Sequence, residues 1–96
     1  MRIMLHVSMN TEKTNQLVLD GTIGATIEGI LAKLKPEAAY FHPTDGGRGI
    51  TLVVDAPDGA TLPSLVEPMW LQLGATVTAV PVMNAEELGV GLSRLG

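Results

Sequence analysis

The chain of 96 residues contains no cysteine, only one Trp, one Tyr and one Phe, and few basic residues. Without cysteine it has no disulfide, thiolate nucleophile, iron–sulfur cluster or cysteine zinc site. Six Lys and Arg stand against ten Asp and Glu, giving a net charge of −4. Because the basic residues are scattered and rings are scarce, we expect no nucleic-acid binding.

Long hydrophobic runs are also missing. The longest stretch without a charge, residues 68–85, is interrupted by proline, glycine and asparagine, so we expect no membrane span. The apolar run after Met1 ends before Ser8 and is too short for a signal-peptide core. These features predict a cytoplasmic protein without a membrane partner.

What the sequence does have is hydrophobic content, at 46% of residues. A chain of this length buries about 65% of its unfolded surface, which is enough for one modest core. We therefore predict a single domain over residues 1–96.

Turn residues divide the chain into short elements. Four segments have the alternation or β-branched content of strands, at residues 3–8, 37–43, 50–56 and 75–82. Residues 44–49 (TDGGRG) are predicted to form the loop of a β-hairpin between the second and third strands.

Helices are predicted between the strands. The first begins with Asn10 as its cap, falters at residues 20–22 (DGT), and is capped again by Thr22 to continue over residues 23–35. A later helix, residues 61–73, is predicted to use Thr61 as its cap and to kink near residues 64–67, since Pro68 removes a backbone hydrogen bond there.

A short C-terminal helix is predicted from the capping-box pattern at residues 84–87 (NAEE). Leu88, Leu92 and Leu95 share one face of it. Because Gly89 and Gly91 weaken this helix, we expect it to pack on a partner surface.

The order β-α-β-β-α-β is that of a ferredoxin-like α+β fold, in which both helices cover one face of a four-stranded antiparallel sheet. Right-handed crossovers give the strand order 4-1-3-2. The predicted helix-covered face carries Ile3, Leu5, Val7, Leu52, Val54, Val77 and Ala79. The opposite face carries Met4, His6, Thr51, Val53, Thr76, Thr78 and Val80. That second face is too apolar for comfortable exposure, so we predict a homodimer in which two sheets meet face to face.

Several segments resemble the dimeric α+β-barrel superfamily. Residues 4–7 (MLHV), 68–70 (PMW) and 77–82 (VTAVPV) are similar to muconolactone isomerases, whereas residues 20–22 (DGT) and 34–41 (LKPEAAYF) are similar to small uncharacterised bacterial members. The resemblance implies a barrel closed by two sheets with the helices outside. It also implies that lactone isomerase or cofactor-free monooxygenase activity occurs among the relatives, but no catalytic motif of theirs matches residue by residue.

His6 and His42 are the first candidates for proton transfer, because unperturbed imidazole titrates near neutral pH. His6 lies on an inner strand and His42 near the end of the outermost one, so we do not expect them to be neighbours. The simpler interpretations are a His6 hydrogen-bonded to threonines and a His42 at the surface of a strand end. Neither histidine shares ligand spacing with other candidates, so we expect no metal.

Trp70 and Tyr40 are the candidates for a ligand pocket. A kink at Pro68 opens space between helix and sheet, where Trp70 could wall an apolar ligand and Tyr40 supply a hydroxyl. The competing interpretation is that Trp70 is a core anchor and that Tyr40 simply alternates with Phe41 across its strand.

The sequence thus favours a small dimeric protein that binds an apolar or aromatic molecule between helices and sheet, with His6, Tyr40 and Trp70 as predicted ligand-binding residues and no cofactor. One alternative is a cofactor-independent enzyme, of the muconolactone isomerase or monooxygenase kind. A further alternative is a protein-interaction module that uses its C-terminal helix.

Overall fold

The computed structural model describes residues 1–96 and has the predicted α+β architecture. Its order is β-α-α-β-β-α-β-α, a ferredoxin-like core whose first helix is broken in two and whose last helix is an addition. The strands are β1 (Arg2–Ser8), β2 (Ala38–Thr44), β3 (Gly47–Asp55) and β4 (Thr76–Pro81), and the helices are α1 (Thr11–Leu19), α2 (Ile23–Leu34), α3 (Leu62–Leu73) and α4 (Ala85–Ser93).

The four strands form one antiparallel sheet in the order β2-β3-β1-β4, which confirms the predicted order. β1 lies inside the sheet, pairing with β3 and with β4. The edge strand β4 ends at Pro81, where the missing N–H costs no ladder hydrogen bond.

The two sheet faces differ as the alternation predicts. The helix-covered face, together with α2 and α3, supplies a single core of fifteen buried apolar residues, among them Leu5, Leu52 and Met69 with no exposed surface. No helix covers the other face, hereafter the open face, which carries His6, Thr51, Val53 and the other residues assigned to it from the sequence.

The first helix breaks where glycine was expected to interrupt it. Asn10 caps α1 by accepting the N–H of Lys13 at 2.8 Å, as predicted. Thr22 occupies the N-cap position of α2, as predicted, but its side chain makes no cap hydrogen bond. Asp20 instead accepts from both the N–H (2.9 Å) and the hydroxyl of Thr22 (2.5 Å), so the aspartate holds the break together.

The β2–β3 hairpin is tighter than predicted. Thr44 pairs directly with Gly47, so the loop contains two residues rather than six. Asp45 and Gly46 have φ of 46° and 76°, the combination that a type I′ turn requires. The strands therefore extend into the segment that its glycine content marked as loop.

α3 begins differently from the prediction. A single 3₁₀ turn, Gly59–Thr61, precedes it, and Asp58 caps that turn by accepting the N–H of Thr61 at 3.0 Å and its hydroxyl at 2.9 Å. Thr61 occupies the N-cap position of α3, as predicted, but its side chain makes no cap hydrogen bond there and donates to Asp58 instead. Pro68 lies buried inside the helix, as expected, and the kink there remains a prediction.

The C-terminal helix α4 has the predicted capping box. Asn84 accepts the N–H of Glu87 at 2.8 Å and Glu87 accepts the N–H of Asn84 at 3.1 Å. Arg2 also pairs with Glu87 and with Glu37, which ties the first turn of α4 to the sheet. Every residue of α4 is exposed, so the surface it was expected to pack on is not supplied by its own chain.

No helix combines the length and apolarity needed to cross a bilayer.

Candidate functional site

The three predicted ligand-binding residues lie in two separate places. His6 and Tyr40 are on the open face, in the same cross-strand row, because each is in register with Thr51 of β3. Trp70 is on α3, in the helix layer behind the sheet. One pocket cannot therefore use all three side chains of a single chain.

Trp70 borders an apolar groove rather than anchoring the core. Its side chain is 48% exposed. The groove beside it has a volume of about 290 Å³, and five of its seven lining residues are hydrophobic. It runs between α3 and the edge strand β4 and is lined by Leu62, Pro63, Val66, Glu67, Trp70, Val77 and Ala79.

A second groove lies between α2 and the β2–β3 hairpin. Its volume is about 380 Å³, but only four of its nine lining residues are hydrophobic. Phe41 and Ile27 form part of its wall, and Arg48 lies at its side. Arg48 donates to Thr14 and to Asn15, both at 2.9 Å. These two hydrogen bonds hold the hairpin against α1.

The open face holds a hydrogen-bonded chain of three side chains from three neighbouring strands. The Nε2 atom of His42 lies 2.7 Å from the hydroxyl oxygen of Thr51. That same oxygen lies 3.3 Å from Nδ1 of His6. The expectation that the two histidines are not neighbours is therefore wrong, since Thr51 on the intervening strand joins them. The interpretation of His6 as a histidine bonded to a threonine is confirmed.

Gly49 explains how His42 reaches across β3. His42 is in register with Gly49, not with Thr51, so its ring must cross the sheet diagonally. A Cβ on Gly49 would lie 3.0 Å from Cε1 of His42 and 2.5 Å from the methyl group of Thr44. The missing side chain thus provides the space in which the ring lies, and His42 is half-buried rather than at a free strand end.

The directions of the hydrogen bonds among His42, Thr51 and His6 follow from one neighbouring group that can only accept. Nδ1 of His42 lies 3.0 Å from the carbonyl oxygen of Pro43, which can only accept. Nδ1 of a neutral His42 therefore carries the hydrogen, and its Nε2 accepts from the Thr51 hydroxyl. The Thr51 oxygen is then free to accept Nδ1–H of His6. This tautomer of His6 leaves its Nε2 unprotonated and without a protein partner.

A shallow concavity of about 150 Å³ adjoins the two histidines. It lies at the end of the open face nearest the hairpin turn and is lined by His6, Val7, Ser8, His42, Thr44, Asp45, Thr76 and Thr78. Its lining is mostly hydroxyl and imidazole, and Asp45 is its single charged side chain. No three His, Asp or Glu side chains come together as metal ligands.

Comparison of the chain with known protein families and with curated protein sequences gives no match.

The histidine pair is the feature that sequence reasoning missed. The signal was present, since Gly49 and Thr51 occupy alternate positions on the strand between the two histidines. The contact can be predicted only once the strand register is known, because it needs a residue without a side chain opposite His42 and a hydroxyl opposite His6.

Proposed function

We propose that the protein is a homodimer of the dimeric α+β-barrel type that binds a small apolar or aromatic molecule in the groove beside Trp70. The observation that carries the ligand proposal is the groove itself. It exposes half of the only tryptophan against the side chains of Val66 and Val77. An exposed indole beside aliphatic side chains offers an aromatic ligand both apolar burial and ring stacking.

The chemistry of the groove favours a ligand without negative charge. Glu67 is its only charged lining residue, and the chain as a whole carries −4. A carboxylate or phosphate would meet like charge here, whereas a neutral ring would not.

The ligand proposal is tested with N-phenyl-1-naphthylamine, a neutral aromatic probe that accepts excitation energy from tryptophan. We expect saturable energy transfer from Trp70. Ala79→Leu, which fills the groove from β4, is expected to weaken probe binding at least about tenfold, because it occupies space the ring requires. Ala32→Leu, the same change at an exposed position of α2, is the control and is expected to leave binding unchanged. Equal affinity in the two variants would refute the site.

The dimer proposal is supported by excess surface. A compact protein of this mass exposes about 5,300 Å², and this chain exposes 6047 Å². Its radius of gyration is 15.3 Å, where a compact chain of this length has about 12.5 Å. The accessible surface of the chain thus exceeds that of a compact protein by roughly 750 Å², which is close to the surface that one partner buries in a standard interface. The open face and α4 are two of the uncovered apolar surfaces.

Val53 is the residue chosen to test the interface. It lies half-buried on the open face, in register with Met4 and Ala38. We expect light scattering to give twice the chain mass of 10.1 kDa for the wild type. Val53→Glu places a charge at the centre of the contact and is expected to give a monomer. Val18→Glu, on the solvent side of α1, is the control and should remain dimeric. A wild-type monomer, or a dimeric Val53→Glu, would contradict the face-to-face arrangement.

A further inference from the structure

We propose that His6 is a general base for a small neutral hydroxycarbonyl compound, and that Thr51 and His42 form a relay that carries the proton it removes. The site is the concavity at the hairpin end of the open face. It is separate from the Trp70 groove, and its hydrogen bonds are complete within one protomer. Because it lies on the open face, access to it from solvent rests on how the proposed dimer covers that face.

The protonation pattern of the two histidines supports this role for His6. The carbonyl of Pro43 accepts from Nδ1–H of His42, so Nε2 of His42 accepts the hydrogen of the Thr51 hydroxyl. The Thr51 oxygen can then only accept from His6, which places the hydrogen of His6 on Nδ1. The result is an unprotonated Nε2 on His6, which has no hydrogen-bond partner in the protein. A basic nitrogen held in one tautomer beside a concave surface is what general-base catalysis requires.

The relay can move positive charge away from the reacting atom. Nε2 of His6 takes the proton from a carbon next to the ligand carbonyl, and the C–H electron pair becomes an enolate. His6 then passes its Nδ1 proton to the Thr51 oxygen, which gives its own hydrogen to Nε2 of His42. The positive charge finishes on His42, whose Nδ1–H remains bonded to the Pro43 carbonyl. Reversal returns one proton to the ligand, so no other reactant is consumed.

The size and the hydroxyl lining of the concavity indicate the class of ligand. A concavity of about 150 Å³ has room for about five atoms of water size, at roughly 30 Å³ each. Ser8, Thr44, Thr76 and Thr78 offer hydroxyl groups that can donate to a carbonyl or enolate oxygen and accept from a hydroxyl.

The charged groups around the site disfavour an anion. Asp45 on the hairpin lines the concavity, and Tyr40 lies in the same cross-strand row as His6. Asp55, at the far end of β3, is paired with the N-terminal amino group. Arg2 lies at the opposite end of β1 and is paired with Glu37 and Glu87, while Arg48 is bonded to α1. Because no Lys or Arg lines the concavity, the site fits a neutral molecule.

Hydroxyacetone in D₂O tests the proposal, with exchange of its C–H hydrogens for deuterium followed by proton NMR. We expect the wild type to accelerate exchange. His6→Gln should remove about 10²-fold of that acceleration, the lower end of what general-base catalysis contributes. Thr26→Val, on α2, is the control and should exchange at the wild-type rate.

The relay residues need a readout that a purely structural role would not move. Thr51→Val keeps the shape of the side chain and removes the hydroxyl, so we expect the rate to fall at least about tenfold while His6 loses its Nδ1–H tautomer. Imidazole ¹⁵N chemical shifts report that tautomer directly, and His42 should retain its own. Circular dichroism checks that each variant is folded.

Two results would overturn the proposal. One is a wild-type exchange rate equal to that of folded His6→Gln, which would remove the general base. The other is an unchanged rate and unchanged ¹⁵N shifts in Thr51→Val, which would remove the relay.

Discussion

Replacement of Gly49 by alanine should destabilise the protein, although the same change usually stabilises a strand. The new Cβ would meet the Thr44 methyl group at 2.5 Å and Cε1 of His42 at 3.0 Å. Ordinary contacts begin near 3.4 Å, so the methyl group must move by roughly 1 Å and the ring by less. Overpacking of this size costs about 1–3 kcal/mol, and displacement of the ring also weakens its hydrogen bond to Thr51.

The measurement is thermal unfolding by circular dichroism at one fixed protein concentration, since association also shifts the midpoint. In a domain of this size a loss of about 2 kcal/mol lowers Tm by roughly 10 °C. Gly29→Ala is the matched control: Gly29 lies in the interior of α2, and a Cβ there meets nothing within 4 Å. It should gain about 0.5–1 kcal/mol, because alanine is the better helix former.

Opposite signs for the two substitutions would therefore establish that the space over Gly49 is occupied. If Gly49→Ala proved as stable as the wild type, His42 would not lie over β3. The hydrogen bond between His42 and Thr51 would then not form either.

Two other substitutions test the core and the C-terminal helix. Leu52→Ala empties a fully buried position at the centre of β3 and should cost about 3 kcal/mol in urea unfolding; a loss below about 1 kcal/mol would mean that the core there is loosely packed. Asn84→Ala removes one half of the capping box and should weaken α4 by about 1 kcal/mol. Faster amide exchange confined to α4 would report that weakening, and unchanged exchange would contradict it.

Much of the fold was predictable from the sequence because it depends on periodicity. Alternation along residues 3–8 places Leu5 inside and His6 outside, and the structure has both where the pattern predicts them. Strand order follows from crossover handedness in the same way, since it depends on the element order and not on particular side chains.

Competition between neighbouring residues was harder to predict. Asp58 and Thr61 are both good cap residues, and Asp58 captures the hydroxyl of Thr61. Asp20 does the same to Thr22. In each case an aspartate two or three residues earlier binds the threonine hydroxyl, so local preference names the N-cap position but not the hydrogen bond that its side chain makes.

The candidate site needed information that no single segment contains. His42, Thr51 and His6 come from three strands, and their contact depends on pairing register together with the missing side chain of Gly49. The competing interpretation of Trp70 as a core anchor was wrong for a related reason. Size and hydrophobicity favour burial of a tryptophan, but the indole lies beside an edge strand with no further element to cover it.

The strand order also has a consequence for how the chain folds. β1 is made first, but its partners are residues 49–55 and 76–81, so neither of its edges can be satisfied until most of the chain has been synthesised. Only the β2–β3 hairpin forms between neighbours in sequence. We therefore expect the hairpin to form first and β1 to join it late, giving slow folding for so short a chain. Until β4 arrives, the apolar strand β1 has an unpaired edge, and nascent or partly folded protein is exposed to aggregation at that strand.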